Sequence, residues 1–301
     1  MITIIGAGRV GSAAAARIAQ AGLDDITIID VVPGLAHGEA LDISQAAESG
    51  VQVTGTEDFS KMKGSRLVIN VAGTARKEGM TRQDLTAKNA EITRTVAQHI
   101  KEHAAEAVAV QVANPMDLMA HVLMKASGLP RERVIGMGGL LDSRRFEYFI
   151  SRDLHLPVSK VGAMVIGEHG EGMVPLASLA TAGGRPLRSL LKPARLAEIV
   201  SMTRGAGAEV IGLAGATIYA PAACIAAMAA ALSSPKGAVM PVSVLLKGEY
   251  GISGIFMGVP AKIGMNGLEK VIELGIDADE KAALMDVCKD MHSRARGLGL
   301  L

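Results

Sequence analysis

Six residues near the N-terminus, Gly6-Ala7-Gly8-Arg9-Val10-Gly11, constrain this chain more than any other stretch. They follow the β-rich run Met1-Ile2-Thr3-Ile4-Ile5 and precede an Ala-rich helical stretch, Ser12 to Ala21, which Gly22 stops. A strand that turns directly into a helix needs glycine where the backbone bends sharply or two segments touch. Gly6 permits the tight turn, Gly8 lets phosphates come close, and Gly11 allows the helix to pack on the strand. The first helical turn then offers unpaired N–H groups and a positive dipole end to a pyrophosphate. With 35 glycines in the chain, the pattern alone would arise by chance, and the flanking strand and helix give it meaning.

A second strand-like run, Ile26 to Ile29, ends at Asp30. A carboxylate there suits the adenosine ribose hydroxyls and repels a 2′-phosphate, so the expected cofactor is NAD rather than NADP. Further β-type runs lie at Val51–Thr54, Leu67–Ala72, Ala107–Ala113 and Arg133–Gly136, with a long helical pattern from Asp84 to about Glu102. Six strands with helices between them predict an α/β domain over residues 1–140, a Rossmann doubly wound parallel six-stranded sheet. After residue 140 the rhythm changes. Helical patterns at Asp142–Arg152, Leu196–Gly212, Thr217–Leu232 and Asp279–Arg296 mix with strand-like runs at Val158–Gly167, Leu176–Thr181 and Val239–Leu246. These predict a mixed α+β catalytic domain over residues 141–301.

Composition narrows the partners. The 301 residues carry 31 basic and 30 acidic side chains with no basic tract, so no nucleic-acid partner is expected. The apolar segment Ile218–Leu232 falls short of the ~20 residues of a membrane span, and reads as a helix buried within the protein or between subunits. The N-terminus enters a strand at once, without signal-peptide features. Cys224 and Cys288 are the only cysteines, and neither stands in a disulfide-framework or metal-ligand spacing. A cytoplasmic location is expected. His99 and His103 are spaced i, i+4 with no further ligand nearby to suggest metal, so none is expected.

Among seven histidines, His169 stands apart, because it follows an apolar strand and is set in Gly167-Glu168-His169-Gly170. Glycines let a substrate approach a strand end, where chemistry commonly sits. Arg76 and Arg82 lie in the polar loop after the fourth strand, and loops at such strand ends face the ligand crevice. Arg145 lies on the helix beginning near Asp142. Three guanidinium groups with a histidine and a carboxylate suit a small dianionic substrate.

In these motifs the chain resembles the lactate/malate dehydrogenase family, and within it the lactate-dehydrogenase-like prokaryotic branch that acts on malate. The likeness runs along nearly the whole chain. It includes GAGRVG at Gly6–Gly11, ARKEGMTRQDL at Ala75–Leu85, KNAEI at Lys88–Ile92 and VANPMD at Val112–Asp117. It continues with LDSRRF at Leu141–Phe146, GEHG at Gly167–Gly170, GATIYAPA at Gly215–Ala222, and GEYGI and GVPAKIG at Gly248–Ile252 and Gly258–Gly264.

The resemblance implies reversible NAD-dependent oxidation of (S)-malate to oxaloacetate, in the tricarboxylic acid cycle, by a homodimer or homotetramer. His169 would be the general acid/base and Asp142 its partner. Arg145 would clamp the carboxylate beside the reacting carbon, and Arg82 would polarise the carbonyl oxygen as charge develops. Asn114 would bind substrate and the nicotinamide side, while Asn89 and Val112 join Gly6, Ala7, Gly8, Arg9, Val10, Gly11 and Asp30 in holding the cofactor. Arg76 selects the substrate: arginine there accompanies malate and oxaloacetate, whereas glutamine accompanies lactate and pyruvate. Oxaloacetate brings a second carboxylate to that guanidinium, and pyruvate offers only a methyl group. The rivals are a lactate or other 2-hydroxyacid dehydrogenase and a non-catalytic NAD-binding sensor. Glu78, Arg144, Glu171-Gly172 and Ala214 depart from the family's usual residues.

Overall fold

A computed structural model describes residues 1–74 and 79–301. Short apolar runs near the N-terminus become strands because both of their faces can be covered. The strands β1 (Ile2–Ile5), β2 (Ile26–Ile29), β3 (Val53–Thr56), β4 (Leu67–Asn70), β5 (Val108–Gln111) and β6 (Val134–Gly136) pair in parallel in the order β3-β2-β1-β4-β5-β6. Every residue of β1, β2, β4 and β5 is buried, the pattern of a parallel sheet with helices on both faces. The connections carry α1 (Arg9–Gln20), α2 (Leu35–Ala46), α3 (Arg82–His103) and α4 (Met116–Ser127). The sequence-based expectation of a doubly wound parallel sheet holds.

The later chain holds α5 (Gly139–Asp153), α6 (Pro193–Ala214), α7 (Tyr219–Leu232) and α8 (Ala278–Gly297). Its strands are β7 (Val161–Gly162), β8 (Val165–Gly167), β9 (Met173–Pro175), β10 (Thr181–Ala182), β11 (Arg185–Pro186), β12 (Ala238–Lys247), β13 (Ser253–Gly264) and β14 (Gly267–Val271). Two compact units result. One comprises Met1–Met137, Ile218–Ala238 and Lys262–Lys270, and the other Gly138–Thr217, Val239–Ala261 and Val271–Leu301.

The Ala-rich segment read as a buried helix is α7, and it packs on α1 within the first unit. Both helices bury small residues, Ala14, Ala15 and Ala19 on α1 and Ala222 and Ala229 on α7, which lets their backbones approach closely. Among the described residues no helix is long and apolar enough to cross a membrane.

Several element bounds differ from the sequence reading. The run 158–167 is not one strand: it divides into a 3-10 turn at Val158–Lys160, then β7 and β8. The run expected at 176–181 resolves into β9 before it and β10 at its end. The 12-residue β13 has no counterpart in the sequence reading. It is buried from Ile255 to Ala261 and carries Gly254, Gly258 and Pro260, so it lacks the alternation and turn-free composition that mark a strand. In the second unit β13 lies antiparallel to β8, with Gly258 opposite Gly167. A Cβ at Gly258 would stand 2.8 Å from the Gly167 carbonyl oxygen, so this close pairing excludes a side chain.

Candidate active site

In the first unit, the glycine-rich turn is built as its residue types require. Gly6 adopts φ +106°, and a Cβ there would meet the Ala72 backbone nitrogen at 2.9 Å. A Cβ on Gly11 would lie 1.9 Å from the Gly6 carbonyl oxygen, so the turn closes only without one. Gly8 is different. Among the described residues nothing lies within 4 Å of its missing Cβ, so they do not require a glycine there, and the open space suits a closely approaching ligand. Gly8 is also the N-cap of α1 and makes no side-chain capping bond, leaving the first-turn N–H groups of Arg9 and Val10 to a ligand such as a pyrophosphate.

Asp30 follows β2, with Oδ2 accepting from the Ala7 N–H at 2.7 Å and Oδ1 from the Val32 N–H at 2.9 Å. The carboxylate is thereby tied to the glycine-rich turn itself. These features fit a dinucleotide: an uncapped helix start, a cradle beside Gly8 and an adjacent carboxylate with lone pairs to spare.

The loops after β4 and β5 are joined by Asn89. This α3 residue is 2% exposed, and its Oδ1 accepts from the Thr74 N–H at 2.8 Å. Its Nδ2 donates to the carbonyls of Thr74 at 3.2 Å and Asn114 at 2.6 Å. Both amide N–H groups therefore serve the protein, which points to a role in positioning these loops. Val112 is buried, and its N–H donates to the Asn70 carbonyl, continuing the sheet. Asn114 is exposed, with Oδ1 accepting from the Met116 N–H at 3.2 Å. Arg82 is the exposed first residue of α3, behind a capping box in which Thr81 and Asp84 satisfy each other's N–H groups. Arg76 lies outside the described residues, as does Glu78.

In the second unit, the chemistry gathers on Asp142. This side chain is 1% exposed in the first turn of α5. Its Oδ2 faces His169 Nδ1 at 2.7 Å, and its Oδ1 accepts from Arg145 Nη1 at 3.0 Å. Two sequence-predicted residues, His169 and Arg145, thus share the buried carboxylate of a third, Asp142. A carboxylate facing Nδ1 holds the proton on that nitrogen, so the neutral imidazole keeps its basic lone pair on Nε2.

His169 is carried by the turn between β8 and β9, which Gly167 enters with φ +89° and Gly170 continues with φ +138°. A Cβ on Gly167 would lie 2.6 Å from the Gly172 carbonyl oxygen. The preceding Glu168 pairs with Arg294 of α8 at 2.7 Å, anchoring one side of the turn. The start of α5 is fixed in turn by Ser143, whose hydroxyl donates to the Gly139 carbonyl and accepts from the Val165 N–H of β8.

Arg145 lies against α6. A Cβ on Gly207 would come within 3.2 Å of its Nη2, so that glycine makes room for the guanidinium. Gly207 escaped the sequence reading, because a glycine inside a helix carries no local sign of what packs over it. Arg144 does not join the cluster: it is 59% exposed and pairs with Glu147.

Known protein families match both parts of the chain. Residues 1–136 match the NAD binding domain of lactate/malate dehydrogenase, and residues 140–295 match its alpha/beta C-terminal domain. A malate dehydrogenase of Methanosarcina acetivorans is 41% identical, over 100% of this chain and 98% of its own. The solved malate dehydrogenase of Aeropyrum pernix superposes with a TM-score of 0.94 at 40% identity, covering 97% of this chain and 96% of that one. A lactate dehydrogenase of Cryptosporidium parvum, solved with lactic acid and nicotinamide adenine dinucleotide, has a TM-score of 0.95 at 36% identity, covering 99% and 97%.

Proposed function

The chain belongs to the lactate/malate dehydrogenase family and is an NAD-dependent oxidoreductase, and from that premise we propose that it is a malate dehydrogenase. The observation that carries the reaction is the buried Asp142 carboxylate shared by His169 and Arg145. In malate oxidation His169 accepts the substrate hydroxyl proton on Nε2, and in oxaloacetate reduction it returns that proton. Asp142 keeps the opposite nitrogen protonated and stabilises the imidazolium that forms. Arg145 uses N–H groups beyond the one given to Asp142 to hold the carboxylate next to the reacting carbon. Arg82 stabilises negative charge on the substrate oxygen, and Asn114 adds an orienting hydrogen bond.

The chemistry that NAD supplies when bound is acceptance of a hydride from the carbon bearing the hydroxyl. The backbone of Gly6–Gly11 at the start of α1 would hold its pyrophosphate, and Asp30 its ribose hydroxyls, with Val112 beside it. Asn89 orders the two loops flanking that surface. The choice of malate over lactate rests on Arg76 in the sequence and on the malate dehydrogenases among the relatives. A cytoplasmic homodimer or homotetramer serving the tricarboxylic acid cycle completes the reading.

Replacing His169 by Gln tests the chemical core of the proposal. Turnover of oxaloacetate with NADH should fall by about 10²- to 10⁴-fold, while NADH binding, followed by its fluorescence, stays unchanged. A variant that turns over at the wild-type rate would mean that His169 does not relay the proton.

A further inference from the structure

The last turn of α3 reads His99-Ile100-Lys101-Glu102-His103. Positions i, i+3 and i+4 share one helical face, and the ligating atoms of His99, Glu102 and His103 lie within 4.8 Å of one another. In sequence the two histidines read as a pair without a further ligand, yet Glu102 stands between them on the same turn.

Other features set this face apart from an ordinary solvated patch. The His99 ring lies flat on Phe59, with centroids 4.0 Å apart and planes 12° from parallel, so its orientation is fixed. Its Nδ1 is buried and has no hydrogen-bond partner among the described residues, although buried ring nitrogens are normally paired. The His103 ring is parallel to that of His99 at 6.1 Å, and its Nε2 stands 3.7 Å from Glu102 Oε2. His103 also borders a cavity of about 400 Å³, lined in addition by Gly64, Ser65, Arg66 and Glu106.

We propose that His99, Glu102 and His103 bind a divalent zinc ion at a site separate from the residues assigned to cofactor and substrate. Two imidazoles and one carboxylate form a donor set suited to zinc, whereas magnesium and calcium favour all-oxygen shells. Ligand atoms at ~2.0–2.2 Å from a tetrahedral zinc stand roughly 3.3–3.5 Å apart. Rotation of the Glu102 side chain, which is 70% exposed, and of His103 brings the ligand atoms to these separations. Three protein ligands leave a fourth position for water. A dication at the C-terminal end of α3 also meets the negative end of the helix dipole.

The test uses the full chain, stripped with chelator and titrated with zinc chloride alone in a non-coordinating buffer. Calorimetry should show one saturable equivalent, and zinc should raise the melting temperature. His103→Ala should weaken binding at least tenfold, Glu102→Gln should weaken it measurably, and both should lose the zinc-dependent rise in melting temperature. Their zinc-free oxaloacetate turnover should stay within twofold of wild type. Because His99 stacks on Phe59, His99→Ala risks the fold, so the two solvent-side variants decide. Absence of saturable uptake, or equal affinity in His103→Ala and Glu102→Gln, would overturn the proposal.

Discussion

In the proposed mechanism Asp142 joins the proton relay to the substrate clamp, since one oxygen faces His169 and the other accepts from Arg145. Asp142→Asn keeps the shape and removes the charge. An amide no longer enforces a proton on His169 Nδ1, so kcat for oxaloacetate reduction should fall by about 10²- to 10⁴-fold in steady-state assays. NADH affinity should be unaffected, which separates a chemical defect from a folding one. How much of this was readable varies by residue. His169 announced itself by its glycines, whereas Asp142 was identified through the family resemblance. Arg144 and Arg145 are neighbours of the same type, and only the i, i+3 relation to Asp142 separates the one that joins the cluster from the one paired with Glu147. Asn89 sits in a motif associated with the cofactor, yet its hydrogen bonds to Thr74 and Asn114 depend on two loops that sequence does not bring together.

At the scale of elements, two helices carry consequences. A glycine inside α6 weakens the helix by about 1 kcal/mol relative to alanine, yet Gly207 accommodates the Arg145 guanidinium. Gly207→Ala should therefore leave thermal stability unchanged or slightly raised, while displacing Arg145. The KM for oxaloacetate should rise roughly tenfold or more, and the opposite directions of the two effects identify the cause. The start of α3 depends on its capping box. Thr81→Ala should lower stability by about 0.5–2 kcal/mol, measured by urea unfolding. Strands were legible where they are short, apolar and bounded by turns, as in β1, β2, β4 and β5. They were not legible where glycine and proline interrupt a buried run, as in β13, whose Gly258 exists to meet Gly167.

For the molecule as a whole, a doubly wound parallel sheet followed from alternating patterns and the glycine-rich turn, whereas the strand order β3-β2-β1-β4-β5-β6 came from the structure. The placement of 218–238 and 262–270 in the first unit depends on contacts rather than sequence order. In sequence the Ala-rich run that forms α7 reads as a buried helix, but nothing in it names α1 as the partner. Stability also has a readable pH dependence. His121 on α4 is 3% exposed, and its pKa is pushed down to about 4, chiefly by burial and further by the charge of Lys125. Above its ordinary value of 6.5 the ring is neutral in both states and contributes no pH dependence. As pH falls from there towards 4, the unfolded chain takes up the proton first, and the native state loses stability. The loss from this group is about 2 kcal/mol at pH 5. Urea unfolding of wild type and His121→Gln at pH 7.5 and pH 5 should show a smaller drop in the variant.

The substrate assignment concentrates on the charge at Arg76. The most direct measurement is kcat/KM for oxaloacetate and for pyruvate, each with NADH, on the same preparation. On the proposed role of Arg76, leaving a desolvated guanidinium unpaired would disfavour pyruvate by roughly 2–5 kcal/mol, so oxaloacetate should lead by about 1.5 to 3.5 decades. Equal values, or a preference for pyruvate, would contradict the assignment to malate.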